Sequence, residues 1–431
     1  MADSSTLSAQ RNDSSFTHVL DELNWRGLVA LSTDAAALKE ALNEPITFYC
    51  GFDPTAPSLH LGNLVQLLTM RRLQLAGHHP LALVGGATGL IGDPKPTAER
   101  TLNDRETVAS WVIKLSDQNR KFLSFEGENK AQMVNNLDWT SQYSAIDFLR
   151  DIGKHYRVGK MLAKDAVSAR LNSDSGISYT EFSYQILQGL DFLELYRRFD
   201  CVLETGGSDQ WGNLTSGADL VHRVEGKSVH LIATPLITNA DGKKFGKSEG
   251  NAVWLDKDLT SAYAMYQFWL NTDDADVVDR LKVFTFLTRK EVEDYEQQVL
   301  AEPHKRAAQR RLALEVTELV HSEKEALAAE KASQALFGQG ELAELEPETL
   351  RAALKELPNI SCEIGISVVT ALVESGLVES NGQARRAIAQ GSVAVNKNKV
   401  TDELALIDQY LPGKVAVLSR GKKSLAGLFF N

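Results

Sequence analysis

The sequence has little cysteine, no long apolar run and no excess of positive charge, and each shortage narrows what the protein can be. Its three cysteines, Cys50, Cys201 and Cys362, lie far apart among 431 residues. They provide neither a disulfide framework nor the spacing of a metal site, so a reducing, cytoplasmic environment is expected. The net charge of −11 argues against a nucleic-acid binder that works by bulk attraction, although it allows a local basic surface.

Features of a membrane or exported protein are also missing. The most apolar stretch, Leu81 to Ile91, is interrupted by glycines and is too short to span a bilayer. The first residues are polar and lack the apolar core of a signal peptide. The apolar content of 43% is ordinary for a globular protein, and the length predicts two or three domains with a large core. No membrane association is expected.

Over residues 1–250, short apolar stretches alternate with helical patterns, as where Leu81–Val84 is followed by a helix near Thr107–Phe122. This alternation predicts an α/β domain built on a mostly parallel, Rossmann-like sheet with helices on both faces. Such sheets bind ligands beyond the carboxyl ends of their strands. The motifs described below lie just after predicted strands or on the neighbouring helices, so we expect a binding site at that edge.

The second half of the chain is organised differently. Residues 251–337 show helical patterns, including one continuous helix from His304 to Phe337, and predict an α-helical domain. Residues 338–362 are acidic and resemble a linker, and residues 363–431 predict a small α+β module. In that module eight Lys or Arg against six Asp or Glu give a net charge of +2, whereas the remainder of the chain carries −13.

A strand that ends at Tyr49 is followed by a turn that could hold a phosphate. The chain breaks at Gly51, passes two prolines and enters a predicted helix near Ser58. A strand, a turn and a helix start, with Gly62 permitting close approach, can present backbone N–H groups and the His60 imidazole to a phosphate. The local pattern also fits a histidine that does no more than start a helix.

The loop after Leu81–Val84 is rich in glycine. Gly86, Gly89 and Gly92 recur at every third residue, which is not the spacing of the dinucleotide fingerprint, and no helix follows directly. NAD or FAD is therefore not expected. Two interpretations remain open: a tight crossover between strand and helix, or a floor for a substrate with Asp93 facing it.

On the predicted helix Thr180–Arg198, Tyr184, Gln188 and Asp191 follow one another at i, i+4 and i+7 and so share one face. These side chains could form a solvated stripe. The opposite stripe is apolar and includes Ile186, which indicates that the helix is covered on both sides. Buried polar groups need polar partners, so this face is a candidate lining for a site.

Five segments, in compatible order, together resemble bacterial tyrosyl-tRNA synthetases, which are class I aminoacyl-tRNA synthetases. The first segment, Tyr49–Asn63, ends in His60–Asn63, which resembles the "HIGH" signature, and Lys244–Ser248 resembles "KMSKS" in the form KFGKS. Alone, the loop around Gly242 could be a basic surface turn; it is one residue too short for a P-loop. The other matching segments are Gly85–Asp93, Tyr179–Asp191 and Gly206–Asn213.

The resemblance covers nearly the whole chain and implies a role for each part. Residues 1–250 would be the catalytic nucleotide-binding domain, 251–337 a tRNA-binding domain, 338–362 a linker, and 363–431 an RNA-binding module like that of ribosomal small-subunit protein four. In that module a helix carrying Arg385 and Arg386 beside a turn would face RNA phosphates. As a bare charge pair, these arginines would more often be solvated.

The resemblance also implies site residues. Tyrosine would be bound by Tyr49, Asp93, Tyr184, Gln188, Asp191 and Gln210. Of these, Tyr49 and Asp191 would read the phenol hydroxyl. ATP would be bound by Cys50, Gly51, Asp53, His60, Asn63, Gly207, Asp209, Lys247 and Ser248. The implied catalytic residues are Thr55, His60, Asn63, Arg100, Lys244 and Lys247.

The implied reaction has two steps. The tyrosine carboxylate attacks the α-phosphorus of ATP and releases pyrophosphate, and the tyrosyl group is then transferred to the 3′ end of tRNA(Tyr). A carboxylate is already a nucleophile, so the first step needs alignment and charge stabilisation and no general base. Mg²⁺ is expected as the counter-ion of ATP, with no metal or organic cofactor bound by the protein itself, and the family implies a homodimer.

Two departures from the family pattern and three alternatives stay open. Asn63 replaces the second histidine of "HIGH", and the loop from Asp93 to Arg100 is shorter than the family form, which leaves the role of Lys95 undecided. A small-molecule adenylyltransferase or a non-catalytic RNA-binding protein with a synthetase fold could share parts of the pattern. Tryptophan is the nearest rival substrate, and the pair Tyr49 and Asp191 argues against it.

Overall fold

A computed structural model describes residues 4–95, 100–173, 176–238, 247–248, 251–338, 340–421 and 424–431. The chain forms two compact units, one of residues 1–256 with 273–308 and one of residues 257–272 with 309–431. Within the described ranges, no helix is both long and apolar enough to cross a membrane.

The first unit is built on a sheet whose described strands run in the order β1-β6-β5-β2-β3-β4. These are β1 Leu31–Ser32, β2 Thr47–Phe52, β3 His79–Val84, β4 Gln132–Asn135, β5 Cys201–Gly207 and β6 His230–Thr234. Every neighbouring pair is parallel except β1 with β6, which is antiparallel. The predicted parallel α/β architecture is confirmed, and β2 lies in the middle of the sheet.

Helices surround this sheet. They are α1 Ser4–Ala9, α2 Val19–Trp25, α3 Ala35–Ala41, α4 Leu61–Leu75, α5 Arg105–Asn119, α6 Leu137–Thr140, α7 Ala145–Asp147, α8 Val158–Leu162, α9 Asp165–Leu171, α10 Tyr179–Phe199, α11 Trp211–Glu225, α13 Asp274–Phe284 and α14 Arg289–Ala301. Two short strands, β7 Lys247–Ser248 and β8 Asn251–Ala252, follow α11. Apolar residues of α10 and α11 form a buried cluster with those of β3, β5 and β6. This cluster fixes α10 against the sheet.

The predicted start of α4 near Ser58 is wrong by one turn. The helix begins at Leu61, and His60 is its extended N-cap residue. The Gln118 side chain holds the preceding segment away from helical geometry, since its Oε1 accepts a hydrogen bond from Leu59 N at 2.7 Å. His60 therefore stands at the helix start, outside its first turn.

The second unit combines helices with a small sheet of order β12-β11-β14-β15-β9. Its helices are α12 Ala262–Leu270, α16 Glu323–Phe337, α17 Pro347–Lys355, α18 Val368–Glu374 and α19 Asn381–Ala389; α15 Ala307–Val320 begins in the first unit. Its strands are β9 Asn359–Cys362, β10 Ile366–Ser367, β11 Val393–Val395, β12 Asn398–Lys399, β13 Leu406–Ile407, β14 Val415–Arg420 and β15 Ser424–Phe430. The mixed helices and strands after residue 363 agree with the predicted α+β module.

Two predicted features of the second half differ from the structure. The single helix from His304 to Phe337 is wrong, because Ser322 caps a new helix by accepting a hydrogen bond from Glu325 N at 3.2 Å. Residues 338–362, predicted as a linker, contain α17, in which Leu350 and Leu354 are fully buried. The acidic side chains of this segment concealed an amphipathic helix.

Candidate active site

The central strand β2 sends successive side chains to opposite faces of the sheet. Tyr49 packs on the α10 face, where its ring meets the edge of Phe192 with centroids 5.2 Å apart. Cys50 packs on the α4 face, where its thiol lies 3.9 Å from Gln66 Oε1, and burial raises its pKa to about 12. Tyr49, predicted to bind tyrosine, and Cys50, predicted to bind ATP, are thus separated by the sheet itself.

Asp191 is buried on α10 with two hydrogen-bond donors. Asn136 Nδ2 donates to one carboxyl oxygen at 3.0 Å, and Trp139 Nε1 donates to the other at 2.9 Å. Burial raises the pKa of Asp191 to about 8, although both donors oppose that shift. The carboxyl is therefore held in a fixed orientation close to Tyr49, whose own pKa is raised by burial and by the acidic groups Glu204 and Asp191.

A second carboxyl, Asp53, connects the end of β2 to α10 and to the glycine loop. Tyr184 donates its hydroxyl to Asp53 at 2.7 Å, and Thr88 donates to it at 2.6 Å. Burial raises the pKa of Asp53, while these two hydrogen bonds lower it. A Cβ on Gly85 would lie 2.0 Å from Asp53 Oδ1, so the loop needs glycine to bring its backbone against this carboxyl.

The remaining predicted tyrosine residues form two polar groups at the sheet edge. Asp93 accepts hydrogen bonds from Gln210 Nε2 and Asn213 Nδ2, both at 3.2 Å, and burial raises its pKa. Lys164 lies beside it, donates to Asn213 and has its pKa lowered to about 8 by burial, against the attraction of Asp93. Gln188 is placed elsewhere, since its Nε2 donates to Glu204 at 3.1 Å.

The loop between Asp93 and Arg100 is held at both described ends by a buried ion pair. Arg170 and Glu181 are each 1% exposed and their charged atoms approach to 3.1 Å. Arg170 Nη1 donates to Lys95 O at 3.2 Å, and Glu181 accepts from Arg100 N at 3.1 Å. Arg100 Nε also donates to Asp93 O at 2.7 Å. The ion pair therefore fixes the backbone of Lys95 and of Arg100, and Arg100 is one of the predicted phosphate-binding residues.

His60 and Asn63 form a reciprocal capping arrangement at the start of α4. His60 Nδ1 accepts from Gly62 N at 3.0 Å, and Asn63 Oδ1 accepts from His60 N at 3.1 Å. Because Nδ1 is an acceptor here, a neutral His60 ring carries its proton on Nε2, which is then a donor. This side chain is exposed, so the donor can reach an anion at the helix start.

The segment that follows the KFGKS signature pairs with the segment that contains His60. Leu61 N donates to Val253 O at 3.1 Å, and Leu255 N donates to Leu59 O at 2.8 Å, so the two segments pair around His60 and Trp254. Strand β7 contains the predicted ATP residues Lys247 and Ser248 and pairs antiparallel with β8, which ends just before this segment. Lys244 lies outside the described residues.

Other predicted residues are dispersed along the edge. Thr55, Lys95 and Arg100 line one cleft of about 280 Å³. Gly51 and Asp209 are exposed, and a Cβ on Gly207 would lie 2.5 Å from Asp209 Oδ1. In the second unit Arg385 and Arg386 are exposed on α19, and Arg385 lies 3.6 Å from Glu403.

Two further observations show what lies next to the site and what could bind there. A cavity of about 840 Å³ is lined by Asp93, Lys164 and Asn213 among others, but neither Tyr49 nor Asp191 lines it. Asp93 therefore borders both this cavity and the polar groups of the predicted tyrosine site. Among the described residues no cluster of three or more His, Cys, Asp or Glu side chains could hold a metal ion.

Sequence reasoning missed several of the residues that orient the predicted ones. They are Thr88, Asn136, Trp139, Lys164, Arg170, Glu181, Glu204 and Asn213. One signal was present for Glu204, which is an acidic residue within an apolar strand pattern. The others come from loops and helices whose contacts are set by the fold, and no local pattern marks them.

The comparisons with known proteins agree with this geometry. Residues 40–338 match the family model of tRNA synthetases class I (W and Y), and residues 349–426 match that of the Tyrosine--tRNA ligase SYY-like C-terminal domain. A tyrosine–tRNA ligase of Leifsonia xyli subsp. xyli is 67% identical over 426 residues, which are 98% of this chain and 96% of that protein. One of Streptomyces avermitilis is 61% identical, over 96% of this chain and 99% of the relative.

Solved structures extend the comparison to the fold. A C-terminally truncated mitochondrial tyrosyl-tRNA synthetase of Coccidioides posadasii superimposes with a TM-score of 0.65 at 32% identity, covering 73% of this chain and 92% of that one. The parallel sheet, the capped His60 turn and the polar edge define a class I aminoacyl-tRNA synthetase of the tryptophan and tyrosine group. Within that group, the chain belongs to the tyrosine–tRNA ligase family.

We expect the substitution Asp191→Ala to abolish tyrosine activation, with a loss of kcat/KM of about a hundredfold or more. A hydrogen bond to a charged group is worth about 1.5–3 kcal/mol, and the N–H groups of Asn136 and Trp139 would lose their buried acceptor. Tyrosine-dependent ATP–pyrophosphate exchange measures the effect. Asp138→Ala removes an exposed carboxylate nearby and is the control. Near-normal exchange in Asp191→Ala would refute the assignment.

A second prediction concerns the loop ends. Arg170→Met should destabilise the protein by about 3–5 kcal/mol, since Glu181 would be left buried without its cation. Denaturant unfolding measures this. Arg289→Met breaks an exposed pair with Glu293, where both side chains are 51% exposed, and should cost less than about 1 kcal/mol. Equal losses in the two variants would contradict a special role for burial.

Proposed function

We propose that this chain activates L-tyrosine with ATP to form tyrosyl-adenylate and pyrophosphate, and then transfers tyrosine to the 3′ end of tRNA(Tyr). Membership in the tyrosine–tRNA ligase family supports this activity. The observation that carries the proposal is the buried pair of Tyr49 and Asp191 on the α10 face of the sheet. A donor and an acceptor buried there would be left unpaired by phenylalanine, which disfavours that substrate.

On the amino-acid side, the phenol hydroxyl would lie between Tyr49 and Asp191. The α-ammonium group would be bound by Tyr184, Gln188 and Asp93, with Gln210 close to the substrate. Tyr184 and Asp93 already belong to oriented hydrogen-bond networks, with Asp53 and Gln210 as their partners. Oriented groups favour binding because little side-chain entropy remains to be lost.

On the nucleotide side, ATP would lie over the start of α4. Its ribose and adenine would meet Cys50, Gly51, Asp53, Asn63, Gly207, Asp209 and Ser248. The phosphates, with Mg²⁺ as their counter-ion, would be held by Thr55, His60, Arg100, Lys244 and Lys247. The exposed, capped His60 and the cleft shared by Thr55 and Arg100 support this division. Because Asp53 also accepts from Tyr184, it would link the two substrates.

The chemistry that follows is alignment of two bound substrates. The tyrosine carboxylate attacks the α-phosphorus, the bond to the bridging oxygen of pyrophosphate breaks, and negative charge accumulates on the departing diphosphate. Cationic side chains that meet this charge mainly in the transition state lower the barrier. Each such charged hydrogen bond could supply about 1.5–3 kcal/mol, or about ten- to a hundredfold in rate.

The remaining parts of the chain would serve tRNA and assembly. Residues 1–250 would be catalytic, residues 251–337 would contact tRNA, and the module of residues 363–431, joined through 338–362, would bind RNA through Arg385 and Arg386. We also propose a homodimer in the cytoplasm. Large apolar side chains exposed on the first unit support the dimer, among them Ile146, Val158 and Tyr179, which are 70%, 59% and 67% exposed.

The two alternative functions are less well supported. A small-molecule adenylyltransferase has no use for the C-terminal domain that residues 349–426 match. A non-catalytic RNA-binding protein has no use for the capped His60 or for oriented carboxyls beneath the sheet edge. Tryptophan as substrate would leave Asp191 without a hydroxyl to bind.

ATP–pyrophosphate exchange with each of the twenty amino acids tests the first step. We expect exchange with tyrosine, little with phenylalanine and none with tryptophan, because the hydroxyl is what Tyr49 and Asp191 would recognise. Aminoacylation of tRNA(Tyr) with the same preparation tests the second step. Exchange without charging would favour the adenylyltransferase, and neither activity would favour the RNA-binding alternative.

The terminal module gives a separate prediction. The double variant Arg385→Ala/Arg386→Ala should impair tRNA charging and leave pyrophosphate exchange unchanged, because both arginines are exposed in the second unit. Exchange by the same variant is the internal control. This variant tests the module more sharply than truncation near residue 350, which would cut through α17. Unchanged charging at physiological salt would contradict an RNA contact at this helix.

A further inference from the structure

Glu204 is a buried acid that the proposed reaction does not use. It lies on β5 directly opposite Tyr49 of β2 in the parallel pairing of the two strands. Glu204 is 2% exposed and Tyr49 is 1% exposed. Glu204 meets Gln188 of α10 and Tyr49 meets Phe192 of α10, so both side chains occupy the same face of the sheet.

Both side chains have a buried polar atom without a hydrogen-bond partner. Glu204 Oε1 accepts from Gln188 Nε2 at 3.1 Å, whereas Glu204 Oε2 makes no hydrogen bond. The Tyr49 hydroxyl also makes no hydrogen bond of good geometry, although it lies close enough to Glu204 for each group to shift the pKa of the other. A buried polar atom left unpaired is costly, so two such atoms on opposed residues indicate a contact that is completed when the site is occupied.

The protonation of Glu204 follows from its surroundings. The titratable groups that interact electrostatically with it are Tyr49, Asp191 of α10, Tyr156, Cys201 of β5 and, from the opposite face of the sheet, Cys50. Burial raises the pKa of Glu204 to about 8. Burial also raises that of Asp191, and two neighbouring carboxyls in one buried cluster titrate as a pair. Asp191 accepts two N–H donors and Glu204 one, so the last proton on the pair belongs to Glu204.

We propose that Glu204 is a positioning residue: as a neutral acid it donates its Oε2 proton to the Tyr49 hydroxyl oxygen and so directs the Tyr49 proton into the tyrosine pocket. This inference rests on the proposed function. Tyr49 then donates to the substrate hydroxyl, which donates in turn to the Asp191 carboxylate. Tyr49 and the substrate hydroxyl each accept one hydrogen bond and donate one, so the direction of the relay is fixed from the Glu204 acid to the Asp191 carboxylate.

The opposite protonation state would weaken recognition. An ionised Glu204 would accept the Tyr49 proton, and Tyr49 would then face the substrate with a lone pair. The substrate hydroxyl has a single proton, for which Tyr49 and Asp191 would compete. With Glu204 as a neutral acid, the pocket therefore binds a hydroxyl that both accepts and donates a hydrogen bond. Phenylalanine has no such hydroxyl.

Two substitutions separate this role from simple packing. Glu204→Gln has the shape of the neutral acid, since its amide can donate to Tyr49 while its oxygen accepts from Gln188. Glu204→Leu fills similar volume and donates nothing. At pH 7 we expect Glu204→Leu to raise the KM for tyrosine, and to lower the preference for tyrosine over phenylalanine, by about three- to tenfold with little change in kcat. Glu204→Gln should restore both values.

The pH dependence provides a readout that packing would not move. The proton on Glu204 is present below its raised pKa and is lost as the pH increases through about 8. The ratio of the wild-type KM for tyrosine to that of Glu204→Gln, measured by pyrophosphate exchange, should therefore rise between pH 7 and pH 9 by about three- to tenfold. Titration of the substrate ammonium group affects both proteins and cancels in the ratio.

Three results would overturn the proposal: a KM ratio that is constant with pH, a Glu204→Gln variant that behaves like Glu204→Leu, or a Glu204→Leu variant with unchanged discrimination. Thermal unfolding shows whether Glu204→Leu is folded; if it is not, the pH comparison with Glu204→Gln decides alone. Absence of tyrosine-dependent exchange in the wild type would refute the proposed function itself. The proposal for Glu204 is refuted only if one of the three results above is obtained while the wild type is active.

Discussion

The requirement that every buried carboxyl find a donor organises the interior beneath the sheet edge. Asn136 is the central member, because its amide donates to Asp191 and to Thr88 while its oxygen accepts from Ala87 N at 2.7 Å. Thr88 passes the connection on to Asp53, and Asp53 accepts from Tyr184 on the same helix as Asp191. One continuous network thus joins α10, the glycine loop and the end of β2, and the positions of Asp191 and Tyr184 depend on it.

The glycine loop packs tightly against this network. Its glycines permit contacts that any side chain would block: a Cβ on Gly85 would lie 2.0 Å from Asp53, and one on Gly89 would lie 2.6 Å from Pro54. The loop is therefore a tightly packed crossover, and through that packing it holds Thr88 where it can bond Asp53. This packing supports the first interpretation of the sequence, a tight crossover, whereas a floor for the substrate stays a prediction.

The sequence predicts the sheet, the α10 face and the signature turns because each of these depends on local pattern. Tyr184, Gln188 and Asp191 share a face by helical geometry alone. The groups that orient these residues could not be predicted in the same way, because Asn136 follows the end of β4, Thr88 lies in the glycine loop and Glu204 lies on β5. The same limit explains the helix predicted across Ser322, where one capping hydroxyl decides between two helices and one. The burial of Arg170 with Glu181 likewise depends on how α9 packs against α10, which no local sequence pattern predicts.

The departure at Asn63 can be understood from the turn that contains it. The third residue of α4 must offer an acceptor to His60 N, and the Asn63 amide oxygen does so at 3.1 Å. An asparagine at this position therefore preserves the capped geometry that exposes the His60 ring. Within this turn Gly62 N donates to Nδ1, which favours the His60 tautomer with its proton on Nε2. The substitution thus retains the property on which a phosphate site at this helix start depends, which is a donor held in place by the backbone. This donor lies on the opposite side of β2 from the pocket that would bind the tyrosine hydroxyl.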